Sequence, residues 1–204
     1  MPYPMLRILN YAIRVHLQIM IRVMHKKHGF TLIEMMIALA IVALLLTVVA
    51  PNVTTILQQN RVAADINSIS AAAQFARFTA VDEQVDVTLC PTANYSTCSG
   101  NWSDAKMVFI DNDGNGSRNG TETLLTTADA VSSTNTLAGI SGVLTFAANG
   151  SVSQAATITI CPNGGEASQA SALIVNLYGR VATASDNDDD GVKEDRQGNA
   201  LTCS

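Results

Sequence analysis

"KKHGFTLIEMMIALAIVALLLTVVAP", Lys26 to Pro51, decides how the rest of the chain is read. Residues 30–50 are apolar apart from Thr31, Glu34 and Thr47. As a helix they span about 31 Å, close to the hydrocarbon thickness of a bilayer. Lys26 and Lys27 stand directly before this run and place that end in the cytoplasm, so the remainder of the chain lies across the membrane. A cleaved secretory signal competes with this reading, since Val48-Val49-Ala50 resembles a small-residue cleavage site. Against it, the apolar run is longer than a usual signal core, Pro51 follows the site, and Glu34 interrupts the run. A carboxylate at membrane depth costs on the order of 2.5–3.5 kcal/mol and normally has a partner. No basic side chain lies between Phe30 and Pro51 to serve. A cut between Gly29 and Phe30 creates one. The new α-amine sits one turn from Glu34 in the same chain, or faces Glu34 of a neighbouring copy.

The charge distribution agrees with a division at this point. Arg7, Arg14, Arg22, Lys26 and Lys27 precede Gly29, while all 17 acidic residues follow it. Seven basic side chains then remain against those acids, a net charge of −10 that repels nucleic acid and anionic headgroups at long range. His16, His25 and His28 also precede Gly29. The body therefore has no histidine, which excludes a Ser-His-Asp or Cys-His nucleophile and a histidine-ligated metal, and argues against an enzyme. Cys90, Cys98, Cys161 and Cys203 form no CxxC pair. Their spacing favours two disulfides in an oxidising compartment. Of the three connectivities, Cys90–Cys98 with Cys161–Cys203 is preferred: a small loop, and a tie on the C-terminal segment.

Gly29-Phe30-Thr31-Leu32-Ile33-Glu34 resembles the prepilin cleavage and methylation motif of type IV pilins and type II secretion pseudopilins. The resemblance implies a prepilin peptidase cut after Gly29 and N-methylation of Phe30. It gives Glu34 the task of neutralising a neighbouring subunit's terminal amine during assembly, and it sets Pro51 where such helices commonly bend. The domains that follow are a leader over 1–29, a transmembrane and assembly helix over 30–51, and a periplasmic globular domain over 52–204. Leaders of this family are usually short and hydrophilic, yet 23 residues precede Met24. They are either an extension lying along the membrane or upstream of the true start at Met24, which is the preferred reading. The implied partners are other pilins or pseudopilins, the peptidase and an inner-membrane assembly platform. The implied location is the bacterial inner membrane, single-pass, and then a pilus or pseudopilus.

The helical pattern continues from Asn52 to about Ala80, with Val53, Ile56, Leu57, Ala64, Ile69, Ala72, Ala73, Ala76 and Ala80 on one stripe. Strand signals follow. Val85, Val87 and Leu89 alternate before Cys90, and Lys106–Ile110 with Glu122–Thr127 read as a hairpin. Val143–Ala147 and Ser151–Gln154 flank Asn149-Gly150, a hairpin signal, and Ala156–Cys161 and Ala172–Val181 supply two more strands. The expected fold is α+β: one long N-terminal helix packed on an antiparallel sheet. The succession "MVFIDNDGNG", "LTFAANGSV", "ITICP" and "IVNLYGRV" is similar to the minor pilin family that includes GspH and FimT.

Two acidic loops interrupt the strands. Asp111, Asp113, Asn115, Gly116 and Glu122 fit the calcium-loop pattern D-x-D-x-N-G-x5-E, although strands rather than helices flank it. Asp186, Asp188, Asp189, Asp190, Glu194 and Asp195 crowd ten residues, which suits either a solvated loop or a divalent cation on Asp186, Asp188 and Asp190. Calcium is the one cofactor the sequence suggests. Some FimT-like minor pilins are linked to DNA uptake through a Gly-Arg-x-Arg motif. Here the matching residues are Gly179-Arg180-Val181-Ala182, so the second arginine is missing and acids follow closely. A lone Arg180 is a weak phosphate anchor, and the sequence argues against nucleic acid as a partner. The expected function is a minor type IV pilin that primes or joins a pilus-like filament. A type II secretion pseudopilin is the alternative, and a DNA-uptake module ranks third.

Overall fold

The computed structural model describes residues 29–203, except for the side chains at 48–52. The leader expected over 1–29, with its alternative start at Met24, lies outside the described residues apart from Gly29. The chain divides into two compact units, Met1–Ala50 and Pro51–Ser204.

Helix α1, Leu32–Glu83, contributes to both units. Its start is capped by Thr31, whose Oγ1 accepts the Glu34 N–H at 3.2 Å while its carbonyl accepts the Met35 N–H at 3.2 Å. Thr31 and Glu34 stand at the two positions of a capping box, a start signal the sequence reading did not use. Every described side chain from Phe30 to Thr47 is exposed, Phe30 at 77% and Leu32 at 79%. Among the described residues no helix is long and apolar enough to cross a membrane. The expected span of 30–51 includes positions outside that set.

In the second unit α1 buries Val62, Ile66, Ile69, Ala73, Ala76 and Ala80. Their alternating four- and three-residue spacing keeps one face on the core. The expected stripe was misplaced in its first half, because Val53, Ile56, Leu57 and Ala64 are exposed. The true stripe begins at Val62. In its last turns the buried residues Ala73, Ala76 and Ala80 are small.

The sheet is two sheets. One has the order β3-β2-β1-β5 and the other β4-β6-β7-β8, every pairing antiparallel. Strands β1 (Val87–Thr92), β2 (Ala105–Ile110) and β3 (Leu124–Ala128) fall where alternation predicts them. β4 (Asn135–Ala138) was not expected, and β5 (Leu144–Phe146) is shorter than its sequence signal. The hairpin at Asn149-Gly150 reduces to a turn closed by the bridge Phe146–Val152. β6 (Ala156–Pro162) pairs with β7 (Ser171–Val175), and a turn leads to β8 (Val181–Thr183). The apolar run Ala172–Val181 is therefore a hairpin, not one strand.

Two glycines permit this arrangement. At Gly139, between β4 and β5, φ is +90° and a Cβ would overlap the Thr157 carbonyl oxygen. At Gly179, in the β7–β8 turn, φ is +72° and a Cβ would overlap the Gly150 carbonyl oxygen. Neither site accepts a side chain.

Val87, Leu89, Val108, Leu144 and Phe146 of one sheet and Ile158, Ile160, Leu173 and Val175 of the other join the helix stripe and Trp102 in one core. The cysteines pair as expected, Cys90 with Cys98 and Cys161 with Cys203. The first closes the loop after β1. The second ties the C-terminal segment to β6.

Candidate functional site

The sequence singles out four groups of residues. At the start of α1, Gly29 and Phe30 are exposed and precede the Thr31 cap. A Cβ at Gly29 would meet nothing within 4 Å, and its φ is not in the left-handed region. Among the described residues no contact requires glycine there. Glu34 is exposed in the first turn, where a carboxylate also complements the helix dipole.

The first acidic loop joins β2 to β3. Oxygens of Asp111, Asp113 and Glu122 lie within 4.8 Å of one another. Asp111 and Glu122 are buried, 3% and 2% exposed, and protein donors reach all four of their oxygens. Asp111 Oδ1 accepts the Asn115 N–H at 3.1 Å; Oδ2 accepts the Gly116 N–H and the Thr88 hydroxyl, both at 2.9 Å. Glu122 Oε1 accepts the Asn112 N–H at 3.0 Å and Oε2 the Asn119 N–H at 2.8 Å. Asn115 turns its Nδ2 to Asp113 Oδ2 at 2.7 Å, so its amide donates toward the carboxylates. The two buried acids thus staple the hairpin tip from within.

The second loop, between β8 and the C-terminal segment, is built alike but completed less fully. Oxygens of Asp186, Asp188, Asp190 and Glu194 lie within 4.8 Å of one another. The Gly191 N–H donates to Asp186 Oδ2 at 2.9 Å, the Asp190 N–H to Asp188 Oδ1 at 3.3 Å, and the Val192 N–H to Asp190 Oδ1 at 2.7 Å. Glu194 is 6% exposed, and its Oε2 accepts from Asn187 N and Nδ2, both at 2.8 Å. Its Oε1 and the Oδ1 of Asp186 are buried without a hydrogen-bond donor. The sequence marked this loop by its acid density but did not single out Glu194, because its burial is a property of the fold.

Arg180 lies in the β7–β8 turn, exposed, its backbone N–H donating to Asn176 Oδ1 at 2.9 Å. With Arg77, Phe78, Val81, Asp82 and Gly179 it lines a groove. Arg77 is occupied with fold contacts, donating to the carbonyls of Gly150 at 3.1 Å and Tyr178 at 3.4 Å. Asp82 and Arg77 share the groove lining with Arg180.

Residues 65–179 match the family model described as type II transport protein GspH, and residues 24–50 match the prokaryotic N-terminal methylation motif. The chain matches no curated protein. Among solved structures it is similar to the type IV minor pilin FimU of Pseudomonas aeruginosa, at 20% identity and a TM-score of 0.50. That likeness covers 62% of this chain and 90% of FimU. It also resembles the minor pseudopilin EpsH of the Vibrio cholerae type 2 secretion system, at 12% identity and a TM-score of 0.46, over 61% of this chain and 97% of EpsH.

Proposed function

From the premise that the chain belongs to the family of type II transport protein GspH, we propose that it is a minor pilin or pseudopilin that primes or joins a pilus-like filament. The observation that carries this reading is the start of α1. Side chains from Phe30 to Thr47 are exposed, nearly all apolar, and carry one carboxylate, Glu34. Apolar surface of that extent on a folded chain calls for a bilayer or for other subunits to cover it. The match of residues 24–50 to the N-terminal methylation motif supports the same use of the segment.

In this reading residues 30–51 anchor the subunit in the inner membrane, with the domain from Asn52 onward in the periplasm. Prepilin peptidase cuts after Gly29, Phe30 is methylated, and its amine becomes the cation that Glu34 lacks within its own helix. Pairing between copies lets a carboxylate leave water only when its counter-charge is in place. The assembly platform then passes the subunit from lipid to filament. The family's description favours a second form of the role, a pseudopilin of type II secretion. Deletion separates the two: loss of exoprotein release marks the secretion role, and loss of surface fibres marks the pilus role.

Mass spectrometry of the chain purified from membranes tests the central step. The expected mature N-terminus is N-methylated Phe30. A mature chain that begins at Pro51, after cleavage at Ala50, would sink the proposal in favour of an ordinary secretory signal.

A further inference from the structure

We propose that Asp186, Asp188, Asp190 and Glu194 bind one calcium ion, which fastens the C-terminal segment to the end of β8. Among the described residues the two buried carboxylate oxygens without a donor, Glu194 Oε1 and Asp186 Oδ1, both belong to this cluster. A buried carboxylate oxygen left without a donor loses its water and gains nothing in return, so such atoms in a folded protein point to a missing cation or water. Four carboxylates in one small volume also repel one another unless a positive charge is shared among them. The nearby Lys193 directs its side-chain hydrogen bond, at 3.3 Å, to the Ala170 carbonyl.

The donor set selects the ion. All four ligands are hard oxygens, with no nitrogen or sulfur to favour zinc. Oxygens on one calcium ion stand about 2.3–2.6 Å from it, and hence up to about 5 Å apart; around magnesium they lie closer, up to about 4.2 Å apart. Four protein carboxylates drawn together within 4.8 Å suit calcium, which takes about six to eight oxygen ligands, better than magnesium, which keeps several waters and about one or two carboxylates. The first acidic loop differs in the decisive respect, since donors reach every carboxylate oxygen of its buried Asp111 and Glu122.

The ion would join pieces of chain that otherwise meet through few bonds. The Glu194 N–H donates to Ser185 O at 3.0 Å, Glu194 bridges Ala200, and the Leu201 N–H donates to Lys193 O at 2.8 Å. Cys203 beyond them is held to Cys161. Calcium at Glu194 therefore fixes the middle of a segment whose far end the disulfide fixes.

The test uses the full chain in detergent, stripped with EGTA and titrated with calcium chloride by calorimetry. One ion per chain is expected, with a Kd on the order of 10⁻⁴–10⁻³ M or tighter and magnesium chloride at least about 10-fold weaker. Saturation should raise the melting temperature by about 3–8 °C. The double variant D188N/D190N keeps oxygens that accept the same backbone N–H bonds at exposed positions, so it should fold normally and lose the calcium response. Asp113→Asn, in the other loop, should keep it. No heat and no thermal shift up to 10 mM calcium, on the order of ten times the weakest expected Kd, would overturn the proposal. So would an equal response to magnesium, or calcium binding that survives in D188N/D190N and disappears in Asp113→Asn.

Discussion

Lys106 lies on β2 among core residues, fully buried, and its Nζ has no hydrogen-bond partner. Burial pulls its ammonium from the ordinary lysine range down to about 8, although Asp65 and Asp104 pull in the opposite direction. Between about pH 8 and pH 10.5 the unfolded chain holds a proton that the folded chain has released. Folding stability should therefore rise with pH across that window, against the usual alkaline decline. Thermal unfolding of the disulfide-intact chain from pH 7 to pH 10 reads the effect. Lys106→Met removes the charge while keeping the stem's volume. It should raise stability at pH 7 by about 1–3 kcal/mol and abolish the alkaline gain. A variant less stable than the parent at pH 7 would show that the ammonium is held by favourable contacts instead. The sequence offered no sign of this residue, since nothing local in "AKMVFI" marks its lysine as buried. It shares a face of β2 with Val108 of the main core, and that face is covered by Asp65, Ser68 and Ile69 of α1.

Helix α1 and the two sheets meet through Ala73, Ala76 and Ala80, each with no exposed surface. Ala76→Leu adds three carbons where there is no room, and overpacking of this kind costs about 1–3 kcal/mol. Denaturant unfolding should record that loss, with the slope of the transition unchanged. The helix itself was legible because its period persists, and β1, β2, β3 and β6 because alternation or continuous apolar runs mark them. β4 was not, since "NTLA" is four residues long with only Leu137 to pattern it. Nor was the β7–β8 turn, which hides inside an apolar run with Gly179 its one punctuation. The partition into two sheets has no local signal at all, because it depends on which edges pair across long stretches of chain. The acidic loop at Asp186 was legible from charge density alone, whereas the orphaned oxygen of Glu194 exists only once the C-terminal segment has folded over it.

At the scale of the molecule, one chain carries a folded body with its own core and an exposed apolar helix start. Those two surfaces make different demands on a substitution. Glu34→Ala lies outside the core, so it should leave insertion, processing at Gly29 and the melting temperature of the body unchanged. It should nevertheless cut co-purification with partner subunits by on the order of 10-fold, roughly the value of one desolvated charge pair. Pull-down from crosslinked membranes measures this. Undiminished recovery of partners would remove Glu34 from the assembly mechanism.

The strand order also has a consequence in time. β4 is made after β3 and before β5, yet it belongs to the other sheet. A growing chain therefore leaves its first sheet with an open edge along β1 until β5 is made, while β4 waits for β6, its pairing partner. Neither sheet can be closed and set aside before the other is begun. Whatever guards the growing chain must hold two incomplete edges at once until β5 pairs with β1, and one of them until the Asn135–Pro162 register locks.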